Sequence, residues 1–158
     1  MALRVRRVIT GHDARGNAIV KIDEVSKNLS SGRPGATACN IWTTEGFPAN
    51  NDGDADEGLR KVSTTLPNGT IFRVIEFAPG VARRMHRTDS IDYIVVMSGE
   101  IDMELDDSVV HLTAGDVMVQ RGTIHNWVNR GTDSCVLSVV LVDAKPVEVG
   151  GRVLNAIG

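Results

Sequence analysis

GVARRMHRTDSIDYIVVMSG, residues 80 to 99, and GDVMVQRGTIHNWVN, residues 115 to 129, decide the fold; EIDMELDDSVVHLTA, residues 100 to 114, joins them. In an extended strand successive side chains alternate between faces, so positions two apart look into the same space. His86 and Thr88 then share a face, as do His125, Trp127 and Asn129. If the two segments face one another inside a small barrel, the imidazoles of His86 and His125 and the carboxylate of Asp92 converge on one point. Either histidine alone reads as an ordinary strand residue. Their joint placement, with Asp92 between them, points to a shared site.

Outward from this stretch the pattern is that of strands. Thr70 to Phe77, TIFRVIEF, is rich in β-branched and aromatic residues and ends at Pro79-Gly80, which predicts a strand closed by a turn. Glu100 to Leu105 alternates acids with Ile101, Met103 and Leu105, the signature of one buried and one wet face. Val109 to Leu112, Val117 to Gln120, Ile124 to Val128 and Cys135 to Val142 follow, each bounded by Gly, Asn or Asp. Short strands at intervals of roughly 8 to 12 residues, without a long helical period, predict an all-β barrel or sandwich.

Composition agrees and excludes several classes. The chain has 158 residues, 42% hydrophobic and 23% charged, within the range of one domain with a real core. A formal charge of -3 offers no basic field for nucleic acid. No apolar run approaches the roughly 20 residues of a membrane-spanning helix. MALRVRRVIT, at the amino terminus, has arginines without an apolar segment after them and does not read as a secretory signal. Two cysteines, Cys39 and Cys135, read as buried reduced thiols, and the expected compartment is the cytoplasm.

Arg4 to Asp23, RVRRVITGHDARGNAIVKID, predicts a hairpin turning near His12, Asp13 and Gly16. Lys27 to Ala38, KNLSSGRPGATA, is loop-like in its Gly, Ser and Pro content, and a short strand around Ile41 and Trp42 follows. Asn51 to Gly58, NDGDADEG, imitates the start of a calcium loop with Asp52, Asp54 and Asp56, but Glu57 stands where the sixth-position Gly belongs and Ser63 where the bidentate Glu belongs. It reads as a solvated loop. The expected organisation is a set of strands and loops over residues 1–69 packing on a barrel of residues 70–145, with a tail over residues 146–158, all in one structural domain.

The central stretch resembles the cupin superfamily. Gly80, His86, Thr88, Asp92 and Gly99 are spaced as in its first motif, G-x5-H-x-H-x(3,4)-E-x6-G, and Gly115, Gln120, Gly122, His125 and Asn129 follow its second, G-x5-P-x-G-x2-H-x3-N. Thr88 replaces the second histidine, Asp92 the glutamate and Gln120 the proline, with Gln120 one residue early. The resemblance implies a jelly-roll β-barrel with an amino-terminal hairpin and strand extension, and a homodimer. It also implies a divalent metal ion, Fe, Mn, Ni or Zn, held by His86, Asp92 and His125, a set that leaves coordination positions open. Thr88 is a poor ligand for such ions, and Asp92, one methylene short of glutamate, could instead orient a histidine.

Trp127, two residues from His125, offers an apolar wall to a planar ligand or is a core residue. Arg73, a charge inside a strand, needs a reason, and binding a substrate carboxylate is one. Thr88 and Gln120 complete the expected cavity wall; His111 and Tyr93 fall on outer faces. Two functions follow. One is a metal-dependent enzyme of the dioxygenase, decarboxylase, isomerase or lyase type acting on a small carboxylated or phenolic compound; the other is a metal-free protein that binds a small molecule without turnover. The sequence names no catalytic acid or base.

Overall fold

The computed structural model describes residues 3–158; the first two residues of the MALRVRRVIT segment lie outside the described residues. The chain opens with an antiparallel hairpin, β1 (Arg6–His12) and β2 (Ala18–Val25), whose Asp13 side chain closes the turn by accepting from the backbone of Arg15 at 2.8 Å and of Asn17 at 3.0 Å. β3 (Leu29–Arg33) and β4 (Ala36–Glu45) come next. The Gly, Ser and Pro residues of the 27–38 segment predicted a loop, yet they pair: Leu29 lies opposite Cys39 and Ser30 opposite Ala38, with an irregularity before Arg33. Ladder hydrogen bonds outweigh weak strand propensity, which depends on context more than helix propensity does.

After a 3-10 turn at Glu57–Leu59 the chain enters β5 (Gly69–Phe77), β6 (Ser90–Ser98), β7 (Glu100–Glu104), β8 (Val109–Thr113), β9 (Val117–Arg121), β10 (Asn126–Val128) and β11 (Cys135–Asp143). A terminal hairpin, β12 (Val147–Val149) and β13 (Arg152–Leu154), ends it. Two sheets carry the architecture: six strands in the order β3-β4-β5-β11-β6-β9, and three in the order β10-β7-β8. Among the described residues no helix is long and apolar enough to cross a membrane.

The core lies between these sheets. Ile71, Ile94, Leu137 and Leu141 from the larger sheet meet Ile101, Met103, Leu112 and Trp127 from the smaller. Burial alternates residue by residue along β6 and β11, as it must when one face of a sheet is packed and the other is not. Each fully buried Ile or Leu contributes about 1.5–3 kcal/mol of transfer free energy. Gly99, which joins β6 to β7, has φ 74°, and a Cβ there would stand 2.7 Å from the Ser134 carbonyl oxygen, so the motif's last glycine is fixed by left-handed backbone and by close approach together.

The acidic loop is exposed over residues 51–55, as expected of a solvated loop, and is tied down at its end. Asp56 caps the 3-10 turn by accepting from the Gly58 amide at 3.0 Å and forms an ion pair with Arg7. Arg7 also donates to Glu24 at 2.7 Å, and its side chain is 2% exposed. Asp54 pairs with Lys21. The loop therefore clamps the first hairpin against β4, whose Ile41 carbonyl accepts from Arg7 at 3.3 Å.

Candidate functional site

β6, the segment before it, and β10 with the segment before it bring the two histidines together. The backbones of His86 and His125 form an isolated antiparallel bridge, each amide donating to the other's carbonyl at 2.9 Å. Their rings stack with centroids 4.1 Å apart and planes tilted by 49°. Both are buried. His86 Nδ1 lies 3.0 Å from the Arg84 carbonyl oxygen and His125 Nδ1 lies 3.0 Å from that of Thr123. A carbonyl oxygen only accepts, so each ring carries its proton on Nδ1 and keeps a lone pair on Nε2.

The Gln120 amide packs against the same Nδ1 of His125, and its Oε1 is buried without a partner. Gln120 Nε2 also donates to the Thr123 carbonyl at 3.4 Å.

These residues line a cavity of about 510 Å³, which also takes in Thr88, Asp92, Arg73 and Trp127. All seven residues singled out by sequence thus reach one space. Trp127 stands edge-on to His125 with centroids 5.9 Å apart and packs on Phe77 at 6.0 Å, so it is a core tryptophan and a cavity wall at once. Asn129 takes no part in the cavity wall. It donates to the carbonyls of Phe77 and Asp133, each at 2.8 Å, and ties the end of β5 to the loop before β11.

Asp92 is held by a short chain of hydroxyls. Ser90 Oγ donates to its Oδ1 at 2.6 Å, and Thr88 Oγ1 is 2.8 Å from Ser90 Oγ. Burial pushes the Asp92 carboxyl up to about 6, against the opposing pull of the Ser90 hydrogen bond and of the charge on Arg73. Burial holds His125 down to about 4, with the neighbouring His86 adding to the effect, and lowers His86 as well. Both imidazoles are neutral at pH 7.

The wall is positively charged apart from this one acid. Arg33, Arg73 and Arg84 line it, and among the described residues Asp92 is its only carboxylate. Arg73 donates from Nη2 to the Ser63 carbonyl at 2.6 Å, while its buried Nε has no partner. Arg33 is fixed more completely, by the carbonyls of Ala82 at 2.6 Å and Trp127 at 2.8 Å and by Asn126 Oδ1 at 3.0 Å. Arg33 and Ser90 carried no signal in the sequence, the first lying in the loop-like 27–38 segment and the second being a serine between motif positions.

For a metal ion the fit is incomplete. Two Nε2 lone pairs are available, but among the described residues no group of three or more His, Cys, Asp or Glu side chains is placed to hold one ion. Asp92 is engaged by Ser90, and Thr88 offers a neutral hydroxyl.

Comparison with known proteins agrees with this architecture. Residues 73–142 match the family model described as "Cupin domain". The chain is 37% identical over 160 aligned residues, covering 96% of it and 85% of the relative, to "Phomopsin biosynthesis cluster protein C'" of Diaporthe leptostromiformis. It is 35% identical to "Cupin-domain-containing oxidoreductase virC" of Hypocrea virens, over 92% of this chain and 79% of that one. Among solved structures, the "Cnp3 Cupin Domain" of Schizosaccharomyces pombe superposes with a TM-score of 0.54 over 87% of each chain at 12% identity, a likeness of fold alone. With the motif glycines, the paired histidines and the two-sheet barrel in place, the chain belongs to the cupin family.

Proposed function

We propose that this cupin is an enzyme that takes a small anionic organic molecule, carboxylated or phenolic, into its barrel and acts on it by proton transfer. One observation carries the reading: a single cavity is lined by three guanidinium groups, two imidazoles and one carboxyl whose pKa lies close to neutral. With Asp92 ionised, three positive charges against one negative leave the wall at +2, in a chain whose formal charge is -3. A concave, low-dielectric cleft focuses such a field and draws anions in. Arg73, with its unpartnered Nε, is the group to receive a carboxylate or phenolate oxygen, and charge-assisted hydrogen bonds of this kind are the stronger ones.

Proton transfer falls to Asp92 and the histidines. A carboxyl with pKa about 6 is mostly ionised at pH 7 yet takes up a proton at little cost, as a general acid–base group should. Each neutral imidazole offers Nε2 to a substrate hydroxyl. Trp127 and Phe77 supply an apolar flank for a planar skeleton. The names of relatives, which include "oxidoreductase" and "biosynthesis cluster protein", support an enzyme of small-molecule biosynthesis. Binding without turnover is the second reading, favoured by Thr88 standing where a cupin with four ligands has histidine.

The test offers the purified protein a panel of small carboxylates and phenols beside their neutral amides and ethers. Binding is read by calorimetry and turnover by mass spectrometry of the mixture. Anions should bind and be converted while the neutral analogues do not bind. Equal binding of both sets would sink the proposal, and binding of anions without a product would leave the second reading standing.

A further inference from the structure

We infer, resting on the anion-binding reading proposed above, that the ligand of this cavity is an elongated dianion. One acid group is held by Arg73, the other by Arg33 and Arg84, and an apolar middle lies along Ile75 and Leu137. The inner face of β5 sets the spacing. Arg73, Ile75 and Phe77 all line the cavity, and four residues of strand separate the first from the last by roughly 13 Å. The Arg33 guanidinium lies over the Phe77 ring, 5.8 Å from its centroid. Arg33 and Arg73 therefore stand at opposite ends of that face.

Charge divides the cavity in the same way. Arg73 acts on Asp92, whereas Arg33 and Arg84 act on both histidines and repel one another. Arg6, Arg7, Arg60 and Arg130 each form an ion pair with an Asp or Glu, but among the described residues none of the three cavity arginines does. Arg33 spends Nε and Nη2 on neutral oxygen acceptors, and among the described residues Nη1 has none. Such acceptors hold a guanidinium in place without cancelling its charge, and a partly buried charge without a counter-charge is costly. A cation fixed in this manner is an anion subsite ordered in advance of binding.

Total charge and lining select the class of molecule. One acid group at Arg73 leaves the Arg33–Arg84 end uncompensated, and one at that end leaves Arg73 so. With Asp92 ionised the wall carries +2, and two anionic groups bring it to neutrality. Between the poles Ile75 lies opposite Leu137 on one side and the small Ala38 on the other, and all three line the cavity. That stretch offers no hydrogen bond to a ligand and favours an apolar linker. A cavity of about 510 Å³ is of the size that encloses a whole small organic molecule.

Calorimetry on the full chain with succinate, azelate and dodecanedioate, each beside the monocarboxylate of equal carbon number, decides the matter. Azelate or dodecanedioate should bind at least about tenfold more tightly than nonanoate or dodecanoate, the gain expected of one added charge-assisted hydrogen bond. Succinate, too short to span the poles, should gain little over butyrate. Arg33→Gln should bring the favoured dicarboxylate down to the affinity of its monocarboxylate. Arg84→Gln should weaken the same advantage severalfold, and it carries the test should Arg33→Gln fail to fold. Equal affinity of dicarboxylate and monocarboxylate at every length overturns the inference and leaves the anion-binding reading standing. Failure of every acid to bind overturns both. A dicarboxylate advantage that survives Arg33→Gln and Arg84→Gln overturns the inference too, by placing the second subsite elsewhere.

Discussion

His86 and His125 are joined twice, by a reciprocal pair of 2.9 Å backbone hydrogen bonds and by rings whose centroids lie 4.1 Å apart. The backbone bridge fixes the spacing of the rings, and the carbonyls of Arg84 and Thr123 fix which nitrogen each presents. A pair so held must stay neutral, because protonating one ring places a charge beside the other in a buried site.

This sets opposing pH dependences at the two ends of the cavity. Asp92, raised to about 6 from 3.8, contributes stability that is present below pH 3.8 and lost as pH rises through about 6. His125, lowered from 6.5 to about 4, contributes stability that is present above pH 6.5 and lost as pH falls through about 4. Between pH 4 and 6 the two largely offset each other. Asp92→Asn removes the first. The variant should be more stable than wild type at pH 8 by roughly 2–3 kcal/mol, at 1.36 kcal/mol per pKa unit, and should lose that advantage toward pH 4. Urea unfolding at both pH values measures this. An advantage that does not change with pH would mean that Asp92 is not a strained carboxylate.

Arg73→Gln tests the anion subsite apart from the acid–base groups. Hydrogen bonds to a charged partner contribute about 1.5–3 kcal/mol, so affinity for a bound carboxylate should fall roughly 10- to 150-fold. A neutral analogue should lose little. Calorimetry on both ligands separates lost charge recognition from a general collapse of the cavity, which would weaken both alike.

Arg7 and Asp56 hold the first hairpin to the body of the protein. The side chain of Arg7 is 2% exposed and that of Asp56 22%, so removing the acid leaves a nearly buried guanidinium with only the half-exposed Glu24 as its counter-charge. Asp56→Asn should cost roughly 2–4 kcal/mol. Asp23→Asn, which breaks the exposed pair with Arg6 at 2.7 Å, should cost under about 1 kcal/mol. Chemical denaturation of the two variants compares them; equal costs would remove the clamp from the account of stability.

The barrel was legible because strand alternation and motif spacing are local properties of the chain. Ile94 and Val96 inward, Tyr93 and Val95 outward, follow from period two alone, and the structure agrees. The hairpin and the outward His111, paired with Asp102 at 2.7 Å, follow likewise. Partnerships between distant segments were not legible. Nothing local to the 27–38 segment says that Arg33 will reach Asn126, or that Asp54 and Asp56 will neutralise Lys21 and Arg7. The acidic loop is solvated over residues 51–55, as it reads, and only its ion-pair partners, more than thirty positions away, were hidden. Ser90 was missed for a different reason: a serine that tunes a carboxylate has no spacing of its own, and only the 2.6 Å contact identifies it.

Thr88 gives the sharpest test of what the cavity can hold. Its side chain is buried in the wall beside His86 and Asp92, with its hydroxyl spent on Ser90. Position 88 shares the parity of position 86, so Thr88→His puts a third imidazole on the side where two Nε2 lone pairs already stand. Wild type has two such donors and, among the described residues, no third His, Cys, Asp or Glu gathered with them, and it should bind Zn(II) weakly. The variant completes a three-nitrogen set of the kind zinc favours, and its affinity should rise at least tenfold, about 1.4 kcal/mol. Competition against a chelator measures both proteins. His125→Ala in the Thr88→His background should return the affinity to the wild-type level or below, because it takes away one of the three. Unchanged binding in Thr88→His would mean that position 88 does not look toward the histidine pair, and that Asp92 and the arginines, not a metal, are what the cavity is built around.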